Sequence, residues 1–237
     1  MIEKSLSIIE LPQLALAFIP VLVVLFIQFS WSLPQKRTLH ALIRMLVQLL
    51  LVGFFLSYIF ESNSAWLVLV LLTIMVLFSS WIALSNIEVP KKQLFQRAIL
   101  AISMSGMLTL FIITQGVLQL SPWHQAQTLI PLAGMVFASS MNSISLSGER
   151  FYAELANNEN YEKARNIAFQ ASMIPNVNAL FAVGIVSLPG MMTGQILSGV
   201  SPFIAARYQI MVMCMIFASS GISAAYFLYL LKAKRKR

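Results

Sequence analysis

Apolar residues along this chain come in long runs, separated by brief polar breaks. A run of about 20 mainly apolar residues is what a helix needs to cross the hydrocarbon core of a bilayer. The sequence predicts seven such spans, at 14–31, 39–60, 65–84, 98–120, 128–146, 179–197 and 208–231. The fifth is diluted by Ser139, Ser140, Asn142, Ser143 and Ser145, and the sixth is interrupted by Pro189 and Gly190. The residues before the first run carry Glu3 and Glu10 against Lys4. A signal peptide wants a basic start, so the first run is expected to be a span.

The breaks are mostly too short for domains, as at Glu61–Ser64 and Ser121–Gln127. The one sizeable connection is predicted at 148–178. Asn157-Asn158-Glu159-Asn160 within it reads as a turn, since Asn competes for backbone hydrogen bonds. A short helix is expected at Glu149–Ala156. A second, over Tyr161–Met173, gathers Tyr161, Ala164, Ala168 and Ser172 on one face. That pattern predicts an amphipathic helix lying at the membrane surface, either as a linker or as a docking element for a cytoplasmic partner.

Composition supports the same picture. Of 237 residues, 59% are hydrophobic and 10% charged, and the mean hydropathy is +0.81. Soluble domains are about a quarter charged, and disorder needs low hydrophobicity, so both classes are excluded. The 16 Lys and Arg outnumber 8 acidic residues, all Glu, for a net charge of +8. The basic residues are unevenly placed. With the N-terminus outside and the C-terminus cytoplasmic, the inner segments hold Lys36, Arg37, Lys91, Lys92, Arg97, Arg150, Lys163, Arg165 and the tail Lys232, Lys234, Arg235, Lys236 and Arg237. The outer segments hold Lys4 and Arg207, and Arg44 falls inside a span. Short cytoplasmic loops collect Lys and Arg, which sets this orientation. The basic tail is then an anchor at the anionic leaflet, and no nucleic-acid partner is expected. Trp31, Trp66, Trp81 and Trp123 all fall at predicted span ends, where amphipathic rings sit. The expected fold class is all-α: one polytopic integral membrane domain, 1–237, embedded in the bilayer.

Several chemistries are missing from the sequence. There is no Gly-rich loop ending in Gly-Lys-Ser/Thr to cradle ATP phosphates. No Cys or His cluster has metal-ligand spacing, and His40 and His124 read as interfacial residues. Glu61, Glu88 and Glu149 stand at span ends, so no buried acid offers a proton relay. No nucleophile–base arrangement appears. The chain is read as a non-enzyme with no cofactor of its own. The single cysteine, Cys214, cannot form an internal disulfide and is expected to be buried as a small hydrophobe.

The chemistry that is present centres on Gly184-Ile-Val-Ser-Leu-Pro-Gly-Met-Met-Thr-Gly-Gln195. Pro189 removes a helix donor and Gly190 lets the backbone turn. A Gly/Pro-interrupted span points to a translocation path or a binding site. Gly190 and Gly194 have the Gly-xxx-Gly spacing that permits close helix contact. In the second span Arg44 and Gln48 lie one turn apart, and Arg44 is near enough to the end to snorkel. In the last span Gln209 is followed by Met211, Met213 and Met215, of which Met211 and Met215 share a face. Core packing is the expected role of these methionines.

The runs Val186–Gln195, Gly199-Val-Ser-Pro202 and Tyr208-Gln-Ile-Met-Val212 resemble the signature of the FetB-type permeases. These are membrane subunits of bacterial ABC transporters assigned to iron export, and the plant aluminium-tolerance half-transporters are similar. Arg44–Gly53 and Ile130-Pro-Leu-Ala-Gly-Met135 match as well. The resemblance implies a permease working with a separate cytoplasmic ATPase that supplies the ATP, as two permeases (a homodimer) with two ATPases. It makes 148–178 the coupling loop, beginning at Gly148-Glu-Arg-Phe-Tyr-Ala-Glu154 and ending at Ile174-Pro175. Relatives carry a longer loop with a Glu-rich helix, where this chain has Leu155-Ala-Asn-Asn-Glu-Asn160. Asn178 and Phe181 stand where an acidic and a basic residue are expected.

The candidate translocation path is Ser187, Pro189, Gly190, Met191, Met192, Gly194, Gln195, Gln209 and Met213. Glu149, Arg150, Glu154 and Arg165 are the candidates for ATPase coupling, and Arg44 and Gln48 are the intramembrane polar pair. Iron favours carboxylates or imidazoles, and the spans offer few, so no metal site is assigned. The alternative reading is an ATP-independent facilitator or channel for a small solute or ion. A membrane scaffold is the third.

Overall fold

The computed structural model describes residues 9–61, 64–87, 89 and 91–232. Expectations resting on Glu3, Lys4, Glu88 and the tail Lys234, Arg235, Lys236 and Arg237 lie outside the described residues. Among those residues every element is helical, apart from one isolated bridge between Val183 and Ser187. The chain divides into two compact bodies, Met1–Tyr58 and Ile59–Arg237.

In the first body, α1 (Leu11–Leu16) and α2 (Ile19–Ser30) share the first apolar run, and α3 begins at Gln35 and continues to Glu61. Pro12 and Pro20 each sit in the first turn of their helix, where the missing N–H is no loss. Pro20 has no N–H to offer the preceding turn, which separates α1 from α2 at Ala17-Phe18. No described side chain of this body is buried. Its apolar residues face outward, as expected where lipid is the solvent.

The second body contains α4 (Ala65–Ala83), α5 (Lys91–Phe111), α6 (Ala126–Ala156), α7 (Tyr161–Ala182), α8 (Gly190–Leu197) and α9 (Pro202–Lys232). The long helices alternate in direction. Trp81 near the end of α4 meets Phe95 near the start of α5, with ring centroids 6.1 Å apart. Phe151 near the end of α6 meets Tyr161 at the start of α7 at 5.7 Å. The Tyr161 hydroxyl donates to the Leu228 carbonyl near the end of α9 at 2.9 Å. The ends of α4, α6 and α9 and the starts of α5 and α7 thus come together at one end of this body, the hairpin end.

The core of this body runs along stripes at helical spacing, such as Val68, Leu72 and Val76 on α4. Phe137 of α6 and Phe227 of α9 are its largest buried side chains. Two glycines set how closely the helices approach. A Cβ on Gly106 would stand 2.5 Å from the Phe137 ring. A Cβ on Gly148 would collide with Ile87 and stand 3.2 Å from Phe227.

Six helical stretches among the described residues are long and apolar enough to cross a membrane: Leu11–Ser30, Gln35–Glu61, Ala65–Ala83, Leu94–Val117, Ala126–Ala156 and Pro202–Lys232. They fall on six of the seven expected runs. The run expected at 179–197 is not one helix. α7 ends at Ala182, a loop follows, and α8 is a separate helix of 8 residues. Instead α7, with 22 residues, is about 33 Å long at 1.5 Å per residue. It runs antiparallel to α6 and α9 and packs against both, and with Arg165, Asn166 and Asn176 it is not among the six stretches apolar enough to cross.

Three more expectations need correction. The connection 148–178 is not a loop with its own short helix at Glu149–Ala156. α6 runs through Gly148 to Ala156 without a break, and only Asn157–Asn160 is irregular. The second helix is longer than expected and packs on α6 and α9: of its predicted face Ala164, Ala168 and Ser172 are buried and Tyr161 is half-buried, and the helix continues through Pro175 to Ala182. Cys214 is exposed on α9, because Val212 and Met215 take the inward positions around it.

Candidate functional site

Two regions of the second body hold the sequence-derived candidates. The first is the hairpin end. Asn157–Asn160 makes the turn: Asn158 adopts φ +63°, a conformation Asn tolerates better than most residues. The Asn160 side chain then caps α7 by accepting from the Lys163 backbone N–H at 2.9 Å. The predicted turn is therefore where the sequence placed it.

The four coupling candidates all lie near this turn. Glu149 and Arg150 are exposed on the last turns of α6. Glu154 is 7% exposed and pairs with Arg150 at 2.6 Å. Arg165 is half-buried on α7, donating to Asn166 Oδ1 at 2.9 and 3.1 Å. A second helical-spacing pair joins Lys163 to Glu159 at 2.7 Å. Lys92, Arg97, Arg150, Lys163, Arg165 and Lys232 all belong to this end, whereas Arg207 stands near the start of α9 at the other. Tyr161, read from sequence only as one member of a face, is the residue that ties three helices together here.

The second region is 183–201. Gly184 at φ +88° and Gly199 at φ +90° reverse the chain before and after α8, a conformation that favours glycine. The Ala182 carbonyl ends α7 by accepting from Val186 and Ser187 N–H at 2.8 and 3.1 Å. Pro189 does not kink a span. It stands at the N-cap of α8, and its carbonyl accepts from the Thr193 N–H and hydroxyl at 3.0 and 3.2 Å. Ser187, Gly190 and Gly194 are exposed, while Met191, Met192 and Gln195 are half-buried. A Cβ on Gly190 or Gly194 would meet nothing within 4 Å, so their Gly-xxx-Gly face packs on no helix of the described chain. α8 instead packs beside α9, which carries Gln209 and Met213.

Gln209 is 4% exposed, and its Oε1 has no hydrogen-bond partner among the described residues. The Oε1 of Gln195 is buried and likewise unpartnered. An amide oxygen left so is costly unless something donates to it or coordinates it. Among the described residues no three His, Cys, Asp or Glu side chains converge to hold a metal ion. Arg44 and Gln48 belong to the first body, half-buried and exposed respectively on α3.

Between the two regions lies a feature the sequence analysis treated only as dilution. Ser139 of α6 sits 3.0 Å, hydroxyl to hydroxyl, from Ser219 of α9. Ser140 donates to the Ser219 carbonyl at 3.3 Å. Asn176 of α7 donates to Ser143 at 3.5 Å and accepts from Ser220 at 3.2 Å. Small polar residues bring the three helices close and hydrogen-bond across them. The signal was in the sequence as matched clusters, Ser139-Ser140…Ser143 and Ser219-Ser220…Ser223.

Apolar helices crossing in alternation, with basic residues gathered at one end, define a polytopic membrane protein. Comparison with known proteins narrows this. The family described as "Uncharacterised protein family (UPF0014)" matches residues 11–235. The UPF0014 membrane protein slr1647 of Synechocystis is 35% identical over 76% of this chain and 75% of its own. The probable iron export permease protein FetB of Escherichia coli is 31% identical over 92% and 89%. The protein ALUMINUM SENSITIVE 3 of Arabidopsis thaliana is 26% identical over 91% and 84%. No solved structure matches. The chain belongs to the UPF0014 family and is a multi-pass protein of the bacterial inner membrane.

Proposed function

We propose that this chain is the permease of an ABC-type exporter of a metal ion of the iron class, driven by a separate cytoplasmic ATPase. Two copies would pair with two ATPases, and the hairpin end would face the cytoplasm. The chain itself does no catalysis in this reading. It has no phosphate loop, so hydrolysis must be supplied from outside.

The observation that carries the reading is the hairpin end. There a four-residue turn, Asn157–Asn160, joins two long helices and presents Glu149 and Arg150 outward. Helices held by buried packing transmit a push without bending, which a flexible loop does not. The path is assigned to the side of α8 and the first half of α9. The unpartnered amide oxygens of Gln195 and Gln209 would be weak, hard ligands for a passing hydrated cation. Weak ligands suit an exporter, which must release what it binds.

Gentle extraction of the tagged chain from cells making an ABC ATPase tests the reading. The expected result is that the ATPase co-purifies and that ferrous iron raises its hydrolysis rate. A chain recovered alone beside abundant ATPase, with metal flux in ATP-free liposomes, would instead make it a facilitator.

A further inference from the structure

A groove of about 300 Å³ runs between α7 and α9 at the hairpin end, lined by Arg165, Asn166, Phe169, Ala225, Leu228 and Tyr229. Its lining changes with depth. Arg165 lines it at the hairpin end, and Lys232, at the end of α9, lies over the same Tyr161 ring as Arg165. Phe169 lies one helical turn inward from Arg165. Leu228 and Ala225 lie one and two turns inward from Lys232.

The two cations are brought together without a counter-charge. Arg165 lies 5.8 Å and Lys232 5.6 Å from the centroid of the same Tyr161 ring. The ion pairs among the described residues are Arg150–Glu154 and Lys163–Glu159, which leaves both of these without a carboxylate partner. No groove-lining residue is acidic. A cation gains from the ring face, but two cations at one ring repel each other. An anion between them relieves that repulsion.

We propose that this groove binds an anionic phospholipid, its phosphate between Arg165 and Lys232 and an acyl chain along Phe169, Ala225 and Leu228. A basic rim above an apolar floor matches a lipid. A soluble anion needs only the rim. Basic pockets between helices on the cytoplasmic side of membrane proteins take acidic headgroups in this way. The inference rests on the membrane placement of the chain and is independent of whether an ATPase binds.

The test uses the full chain, delipidated in neutral detergent, with no ATPase present. The probes are dioleoyl phosphatidylglycerol, dioleoyl phosphatidylcholine and inorganic phosphate, with binding read by native mass spectrometry. Phosphatidylglycerol is expected to bind, phosphatidylcholine to bind far less, and phosphate not to compete. Each basic residue near an anionic headgroup is worth roughly a fivefold change in affinity, so Arg165→Gln with Lys232→Gln is expected to weaken binding about 30-fold. Should the double variant not fold, Lys232→Gln alone, at the exposed end of α9, is expected to weaken it about fivefold. Arg207→Gln, at the other end of α9, is expected to leave it unchanged. Equal binding of the two lipids would overturn the proposal, as would phosphate competing fully or affinity surviving the Lys232 and double variants.

Discussion

The hairpin end and the segment 183–201 differ in how they hold their polar groups, although Arg165 and Lys232 at the hairpin end have no carboxylate partner among the described residues. At the hairpin end Arg150 is paired with Glu154, Lys163 with Glu159, and Tyr161 with the α9 backbone. Gly148 is closed in by Ile87 and Phe227. In 183–201 the backbone satisfies itself through tight turns, yet Gln195 keeps an unpartnered oxygen and its two helical glycines face open space. The first region holds ionic and hydroxyl groups in contacts within and between helices, and the second leaves an amide oxygen unpartnered and two glycines uncovered. On the proposed reading the first would be a stiff handle and the second a yielding path.

The same substitution at two glycines breaks this comparison most sharply. Gly148→Leu forces a branched side chain against both Ile87 and the buried Phe227 ring, so that even if the Ile87 end turns aside the core is overfilled. Overpacking of this kind costs about 1–3 kcal/mol or more. The expected outcome is loss of monodisperse protein on size exclusion. Gly190→Leu meets no neighbour, so the protein should insert and purify as wild type while transport is abolished. Unchanged metal flux from the Gly190 variant would remove α8 from the path.

Asn176→Leu comes next. It removes two interhelical hydrogen bonds and leaves Ser143 and Ser220 facing an apolar group. Interhelical bonds in membrane bundles average about 0.6 kcal/mol with a maximum near 1.7, so a loss of about 1–2 kcal/mol is expected by thermal denaturation in detergent. Tyr161→Phe deletes one hydroxyl bond and keeps the ring, for a loss of about 1 kcal/mol by the same measurement. The smallest effect is expected of Lys163→Ala. Its pair with Glu159 is solvent-exposed, and the melting temperature should not move measurably.

Much of the fold was legible because lipid-crossing helices need length and apolarity together, and six runs had both. The same rule is silent on α7, a continuous helix that Arg165, Asn166 and Asn176 leave below the apolarity of a span. Yet Asn176 is matched by Ser143 and Ser220, so a polar residue there is a contact and not an exposure. The 179–197 run failed the other way. It is apolar enough, but the chain turns at Gly184 and restarts at Pro189, where a missing N–H does no harm at a helix start. Of the site, the Asn turn and the closeness of Glu149, Arg150 and Glu154 followed from local spacing. The roles of Tyr161 and Gly148 did not. Both depend on α9 and on the residues after α4, which are distant in sequence.

The central claim is that the hairpin end meets the ATPase and the end bearing α8 does not. Photo-crosslinking tests it directly, with the reactive residue placed at Glu149 or at Asn158 in one set and at Ser187 or Gly194 in the other. Crosslinks to the ATPase from the first set and none from the second are the predicted result. Crosslinks from Ser187 or Gly194, with none from Glu149 or Asn158, would contradict the account.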